Sequence, residues 1–212
     1  MITLQEQLDK KTLNYDEIKG FLAFDEAQAL FKHALIQAST GPILEIGSYC
    51  GKSTVCLGLA CQIEKQALFA IDHHRGSEEH QVGEEYHDAA LYDNKYQVFD
   101  SFKAFRYNID KAQLNDTVIP IVSTSYQVAQ HWNTQLSMVF IDGGHSFEAA
   151  LHDYRSWAGK IKTGGLLAIH DIFPNPKDGG QAPYTIWKLA QDSGLFEVLP
   201  TVNTLGLLRR IG

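Results

Sequence analysis

Ile43-Leu44-Glu45-Ile46-Gly47-Ser48-Tyr49-Cys50-Gly51-Lys52-Ser53-Thr54 decides the fold. An apolar run carrying one acidic residue stops at Gly47, a second glycine follows four positions on, and Ser53-Thr54 open a helical stretch. That is a strand, a tight turn and a helix whose first N–H groups face whatever lies above the turn. Gly47 supplies backbone angles closed to other residues, and Gly51 lets the chain pass close to a ligand. The spacing is neither the G-x-G-x-x-G of dinucleotide folds nor a phosphate-binding P-loop, so no pyrophosphate is expected here.

Upstream of this turn, 21–38 places Phe21, Leu22, Phe24, Ala27, Leu30, Phe31, Ala34 and Leu35 at helical spacing and stops before Gly41-Pro42. Downstream, short apolar runs recur at 67–71, 118–122, 138–141 and 166–169, separated by helical or polar sequence. Strands that alternate with helices predict right-handed crossovers and a parallel sheet covered on both faces. Two last runs, 196–199 and 205–208, are separated by only Pro200 to Thr204 and predict a hairpin that adds an antiparallel strand. The fold class is therefore α/β, a doubly wound, mostly parallel sheet with helices on both faces. Ligands of such sheets lie beyond the carboxyl ends of the strands.

With 212 residues and no linker-like segment, the chain is expected to form one domain over 1–212, with a helical lead-in over 1–40 and an insertion over 73–100. A formal charge of −7 argues against nucleic acid as a partner. Three cysteines without a C-x-x-C pair suggest neither a disulfide framework nor structural zinc. The first residues lack an apolar signal core, and no run approaches the roughly 20 apolar residues that span a bilayer. These features lead to the expectation of a cytoplasmic protein that acts on a small molecule, without a membrane partner; a homodimer is left open.

The run Glu-x-Gly-x-x-x-Gly after a strand resembles motif I of the class I S-adenosylmethionine-dependent methyltransferases, whose sheet is Rossmann-like. The wording Gly-Ser-Tyr-Cys-Gly-Lys-Ser is similar to the catechol O-methyltransferase branch. Asp-Gly-Gly-His at 142–145 and His-Asp at 170–171 are similar to the Methyltransferase-24 and macrolide-sugar O-methyltransferase relatives. The resemblance implies S-adenosyl-L-methionine as cofactor and Glu45, Gly47, Tyr49, Gly51, Ser53, Asp72, Ser125 and Asp142 as its contacts. Asp72, 25 positions after Gly47 at the end of the second strand, would accept the ribose hydroxyls. Ser125 falls where the family hydrogen-bonds adenine, and Tyr49 and Ser53 where it holds the amino acid end.

On the catalytic side, Asp142 matches an aspartate that approaches the methionine moiety and, in metal-dependent members, binds a cation. His145 falls where the catechol branch has its catalytic lysine, and an imidazole with pKa near 6.5 can take a hydroxyl proton at neutral pH. His145 and Asp142 are the catalytic candidates. Asp142 and Asp171 with His170 form a candidate set for Mg2+ or another divalent cation. The residue after Asp171 is Ile172, where the catechol branch has a metal-binding asparagine, so a histidine would have to complete the site. The polar segment 72–88 supplies substrate-loop candidates in Arg75, His80 and His87, and Tyr184 is a candidate acceptor wall. Glu148, His152 and Asp153 read as surface or supporting residues. The expected activity is O-methylation of a small-molecule hydroxyl. Two alternatives are a metal-dependent hydrolase or lyase on the same scaffold and a non-catalytic S-adenosylmethionine-binding module.

Overall fold

Strand β1, Ile43–Ile46, is buried at all four positions, as a central strand covered on both faces must be. It pairs in parallel with β2, Leu68–Asp72, on one side, Ile43 opposite Leu68, and with β6, Leu136–Ile141, on the other, Ile43 opposite Met138. The computed structural model describes residues 2–76, 88–144 and 146–212.

In chain order, helices α1, Leu4–Lys10, and α2, Phe24–Ala38, precede β1. Helix α3, Lys52–Ile63, joins β1 to β2. A small ribbon of β3, Tyr92–Asp93, and β4, Val98–Phe99, leads to α4, Phe102–Lys111, and β5, Val118–Val122. Helix α5, Ser125–Gln130, precedes β6; α6, Phe147–Trp157, precedes β7, Ile161–Ile169; and α7, Ala182–Asp192, precedes β8, Phe196–Val198, and β9, Gly206–Arg210. The main sheet has the order β5-β2-β1-β6-β7-β9-β8. Strand β9 runs antiparallel to both β7 and β8, so the expected hairpin inserts its second strand beside β7.

Alternating residues divide two cores. Ile43, Met138, Phe140, Leu166, Ala168 and Leu207 face the layer formed by α1 to α4, together with Leu30, Phe31 and Val55. Leu44, Ile46, Val139, Ile141, Leu167, Ile169 and Leu208 face α5 to α7, together with Ala150, Trp157 and Ile186. This period of two places Glu45 and His170 on the α2–α3 side of the sheet.

The first long helix begins at Phe24 and not at Phe21. The Glu26 carboxylate accepts the Ala23 N–H at 3.1 Å and closes the first turn. Residues 19–22 therefore form an arm ahead of the helix, with Phe21 70% exposed. Helix α1 was outside the apolar pattern used above; its Thr3–Glu6 capping box and only two buried leucines, Leu4 and Leu8, make it short. Among the described residues, no helix is long and apolar enough to cross a membrane.

Candidate active site

The turn after β1 is built around a buried carboxylate. Glu45 is fully buried and accepts the Ser53 hydroxyl at 2.6 Å and the Thr54 hydroxyl at 2.5 Å, tying the first turn of α3 to the strand. Burial pushes its pKa up to about 7 against these hydrogen bonds. Glu45 thus supports the turn from beneath and does not line the cleft above it. Gly47 has φ +86, and a Cβ there would lie 2.0 Å from the Asp142 carbonyl oxygen. The turns after β1 and β6 touch only because this residue is glycine. Gly51 caps α3 with its open face toward Phe105, 3.3 Å from a Cβ position, so it packs inward and is not among the residues lining the cleft. Ser48 is buried and lines the cleft. Its hydroxyl lies near enough to Glu45 to favour the ionised form, yet it is not aligned for a hydrogen bond with any described group.

Beyond β2, Asp72 accepts the Tyr49 N–H at 2.8 Å on one oxygen and the His74 N–H at 2.7 Å on the other. These bonds orient the carboxylate at the cleft and hold Tyr49 at φ +45, in the left-handed region rare for a side chain of its size. Each oxygen keeps a lone pair for a ligand hydroxyl. Beyond β5, Ser125 Oγ accepts the Trp157 indole N–H at 2.7 Å, and its hydroxyl lies near enough to Asp153 to favour the ionised form. Asp153 is 8% exposed, and burial pushes its pKa up to about 6 against that hydroxyl.

The tips of β6 and β7 carry the charged part of the site. His170 Nδ1 lies 3.1 Å from Asp142 Oδ1 and 3.5 Å from Asp171 Oδ1, and Nε2 lies 3.1 Å from Glu26 Oε2. Burial disfavours charge on this ring, but Asp142, Glu26 and Asp171 outweigh it and push the pKa up to about 11. Burial also works against ionising Glu26, yet hydrogen bonds from His170 and Thr204 bring its pKa down to about 2. Glu26 Oε1 accepts the Thr204 N–H at 2.8 Å and hydroxyl at 2.7 Å, so α2, β7 and the loop before β9 converge on one carboxylate.

Donor atoms of Asp142, His170 and Asp171 all lie within 4.8 Å of one another. Two carboxylates and one imidazole suit a hard or borderline divalent cation. For His170 to join them through Nδ1, its remaining proton must sit on Nε2, where Glu26 is placed to accept it. Ile172, 3% exposed, belongs to the core.

These groups border one cleft of about 860 Å³. Gly47, Ser48, Tyr49, Ser53, Asp72, Ser125, Asp142, His170 and Asp171 all line it. Lys19, Phe21, Lys52 and Asp153 line it too, and the sequence reading missed them as site residues. Phe21 stacks on Tyr49 with centroids 6.2 Å apart, and Tyr49 on Phe99 at 6.4 Å, giving the cleft an aromatic flank. Lys19 pairs with Asp88, which ties the arm before α2 to the 73–100 insertion. Two expected substrate residues do not line the cleft. Tyr184, on α7, stacks on Trp187 at 5.9 Å and packs against the core. Arg75 is exposed and outside the cleft lining. His80, His87 and His145 lie outside the described residues.

Comparison with known proteins follows the same outline. A family described as a methyltransferase domain, Methyltransferase-24, matches residues 44–172. The fold is similar to that of an O-methyltransferase of unproven activity from Klebsiella pneumoniae, with a TM-score of 0.63 and 16% identity over 98% of this chain and 87% of that one. It is similar to the O-methyltransferase NovP, with a TM-score of 0.66 and 17% identity over 90% and 81% of the two chains. An O-methyltransferase from Bacillus cereus, solved in complex with S-adenosylhomocysteine, has a TM-score of 0.62 and 15% identity over 98% and 90%.

Proposed function

Because the chain belongs to the methyltransferase-domain family matched over 44–172, we propose that its cleft transfers a methyl group from S-adenosylmethionine to a hydroxyl of a small-molecule acceptor. The observation that carries this reading is the shared cleft. The glycine turn after β1 and Asp72 border it on one side, and Asp142, His170 and Asp171 on the other. A cofactor site and an acid-rich acceptor site thus adjoin.

In this reading Asp72 accepts the ribose hydroxyls, and the residues of the turn after β1, with Ser48 and Ser53, hold the amino acid end. The uncommitted Ser48 hydroxyl and the glycine-dependent contact between the turns after β1 and β6 fit a bound polar ligand. S-adenosylmethionine supplies, when bound, a methyl group on a sulfonium with a good leaving group. What remains for the protein is to align the acceptor oxygen and remove one proton. His145 is the proposed base; Gly144 before it and Ser146 after it both line the cleft. Asp142, His170 and Asp171 would hold a divalent cation, which would lower the pKa of an acceptor hydroxyl.

The test is turnover against a panel of hydroxylated acceptors with isotopically labelled cofactor. His145→Ala is expected to slow methylation by about 10²–10⁴ while S-adenosylhomocysteine affinity stays near that of the wild type. A loss of cofactor binding as large as the loss of rate would assign His145 a structural role. Tight metal binding with no affinity for S-adenosylmethionine would favour hydrolase chemistry on the same scaffold.

A further inference from the structure

We propose that Asp153, on α6, reads the exocyclic amino group of the cofactor's adenine, the part the family resemblance implies for Ser125. The inference rests on the cofactor placement proposed above. Ser125 Oγ already takes the Trp157 indole N–H at 2.7 Å, and its hydroxyl lies near enough to Asp153 to favour the ionised carboxylate. As an acceptor, a neutral hydroxyl is weaker than a carboxylate toward an N–H donor.

Asp153 is buried and still borders the cleft. Ser146, Ala149 and Asp153 follow at spacings of three and four along one face of α6, and all three line the cleft. Alanine at 149 keeps that face low. Gly143 on the opposite side has the same effect, since a Cβ there would stand 2.9 Å from Asp153 Oδ2 and cover it. No lysine or arginine pairs with this carboxylate among the described residues. A buried carboxyl without a cation needs a hydrogen-bond donor or loses its charge, and burial has already raised its pKa.

The chemistry selects the amino group. Adenine's ring nitrogens N1, N3 and N7 only accept, and its amine is the donor that a carboxylate can use. Ser123, Thr124, Tyr126, Gly143 and Gly144 line the same cleft as Asp153. Replacing the amine by a carbonyl oxygen would set lone pairs against the carboxylate.

The experiment is calorimetric titration of the wild type with S-adenosylhomocysteine and with S-inosylhomocysteine, in which the amine becomes a carbonyl. The wild type is expected to prefer the adenine compound by about 10- to 100-fold, the range of one hydrogen bond to a charged group. Asp153→Asn should abolish or invert that preference, because the amide lacks the carboxylate's charge and can present an N–H to the base. Ser125→Ala should keep the preference, and it tests the proposal even if the Asn variant does not fold. Equal binding of both compounds by the wild type, an undiminished preference in Asp153→Asn, or loss of the preference only in Ser125→Ala overturns this assignment alone. Failure of the wild type to bind S-adenosylhomocysteine overturns the cofactor reading as well.

Discussion

Glu45 and Asp142 stand on neighbouring strands, and their environments diverge. Glu45 faces inward, sealed by two hydroxyls of α3, with a pKa raised by burial to about 7. Asp142 stands at the open end of β6 beside the His170 imidazolium, which Glu26 holds from behind. The motif's own acidic residue is scaffold, whereas the charge available for chemistry sits at the tips of β6 and β7. One end of the cleft is shaped by hydroxyls and glycine contacts, the other by ionised groups held in fixed positions.

The comparison breaks most visibly at His145. Loss of a proposed base should cost turnover by two to four orders of magnitude, whereas a change at Glu45 should act on stability first. Next comes Glu26→Ala, which strips a buried partner from the His170 imidazolium and frees the two donors of Thr204. Removing one member of a buried pair costs about 3–5 kcal/mol, and chemical denaturation should report a loss of that order. A loss below about 1 kcal/mol would mean that the pair contributes little.

The pH dependence of stability sharpens the contrast. Glu45 titrates near 4.5 when unfolded and near 7 when folded. The unfolded chain therefore gives up this proton first, and unfolding is favoured as pH rises from about 4.5 to 7. His170 has its folded pKa raised too, but by carboxylates that stabilise its charged form, where burial at Glu45 disfavours the charged one. The His170 contribution is complete below pH 6.5 and is lost as pH rises toward about 11. Glu45→Gln should remove Glu45's share of the lower-pH decline, on the order of 2–4 kcal/mol, and leave both the share of Asp153, whose pKa burial raises to about 6, and the alkaline decline. Identical slopes for variant and wild type between pH 4.5 and 7, read from thermal melts, would contradict this assignment. The smallest expected effect is at Asp72. Asp72→Ala should weaken S-adenosylhomocysteine binding by roughly 1.5–3 kcal/mol through lost charge-assisted hydrogen bonds. Unchanged affinity would remove Asp72 from the ribose site.

Much of this architecture was legible in the apolar runs. The strands around 43–46, 118–122 and 138–141 stand where their Val, Ile, Leu and Phe content indicates, and the hairpin at 196–210 follows from two runs too close for a crossover. Strand β7 begins at Ile161, ahead of its apolar run, and Lys162 to Gly164 continue it where it is less covered. The strand-end rule brought Asp72, Asp142, His170 and Asp171 to one cleft. It misjudged Glu45, since the strand's period of two turns that side chain beneath the sheet's edge, toward hydroxyls eight and nine residues on.

Glu26 and Asp153 were harder to see. Glu26 has the sequence of an ordinary helix-capping acid, and its partners His170 and Thr204 are distant in the chain. Asp153 did leave a signal, because it follows Ala149 by four and precedes Trp157 by four, on a stripe that ends in the fully buried Trp157. A carboxylate on such a stripe needs a polar partner, and that partner is where a ligand is to be sought. Phe21 and the arm at 19–22 were hidden by helical spacing that continues past the true start of α2.

The most direct test of the account is calorimetric titration of the purified protein with S-adenosylhomocysteine and S-adenosylmethionine, before and after chelator treatment and with magnesium restored. Micromolar binding is expected in the chelated protein, because the proposed cofactor end of the cleft offers hydroxyls, backbone groups and Asp72, and the proposed cation lies at the acceptor end. Absence of binding under every condition would contradict it.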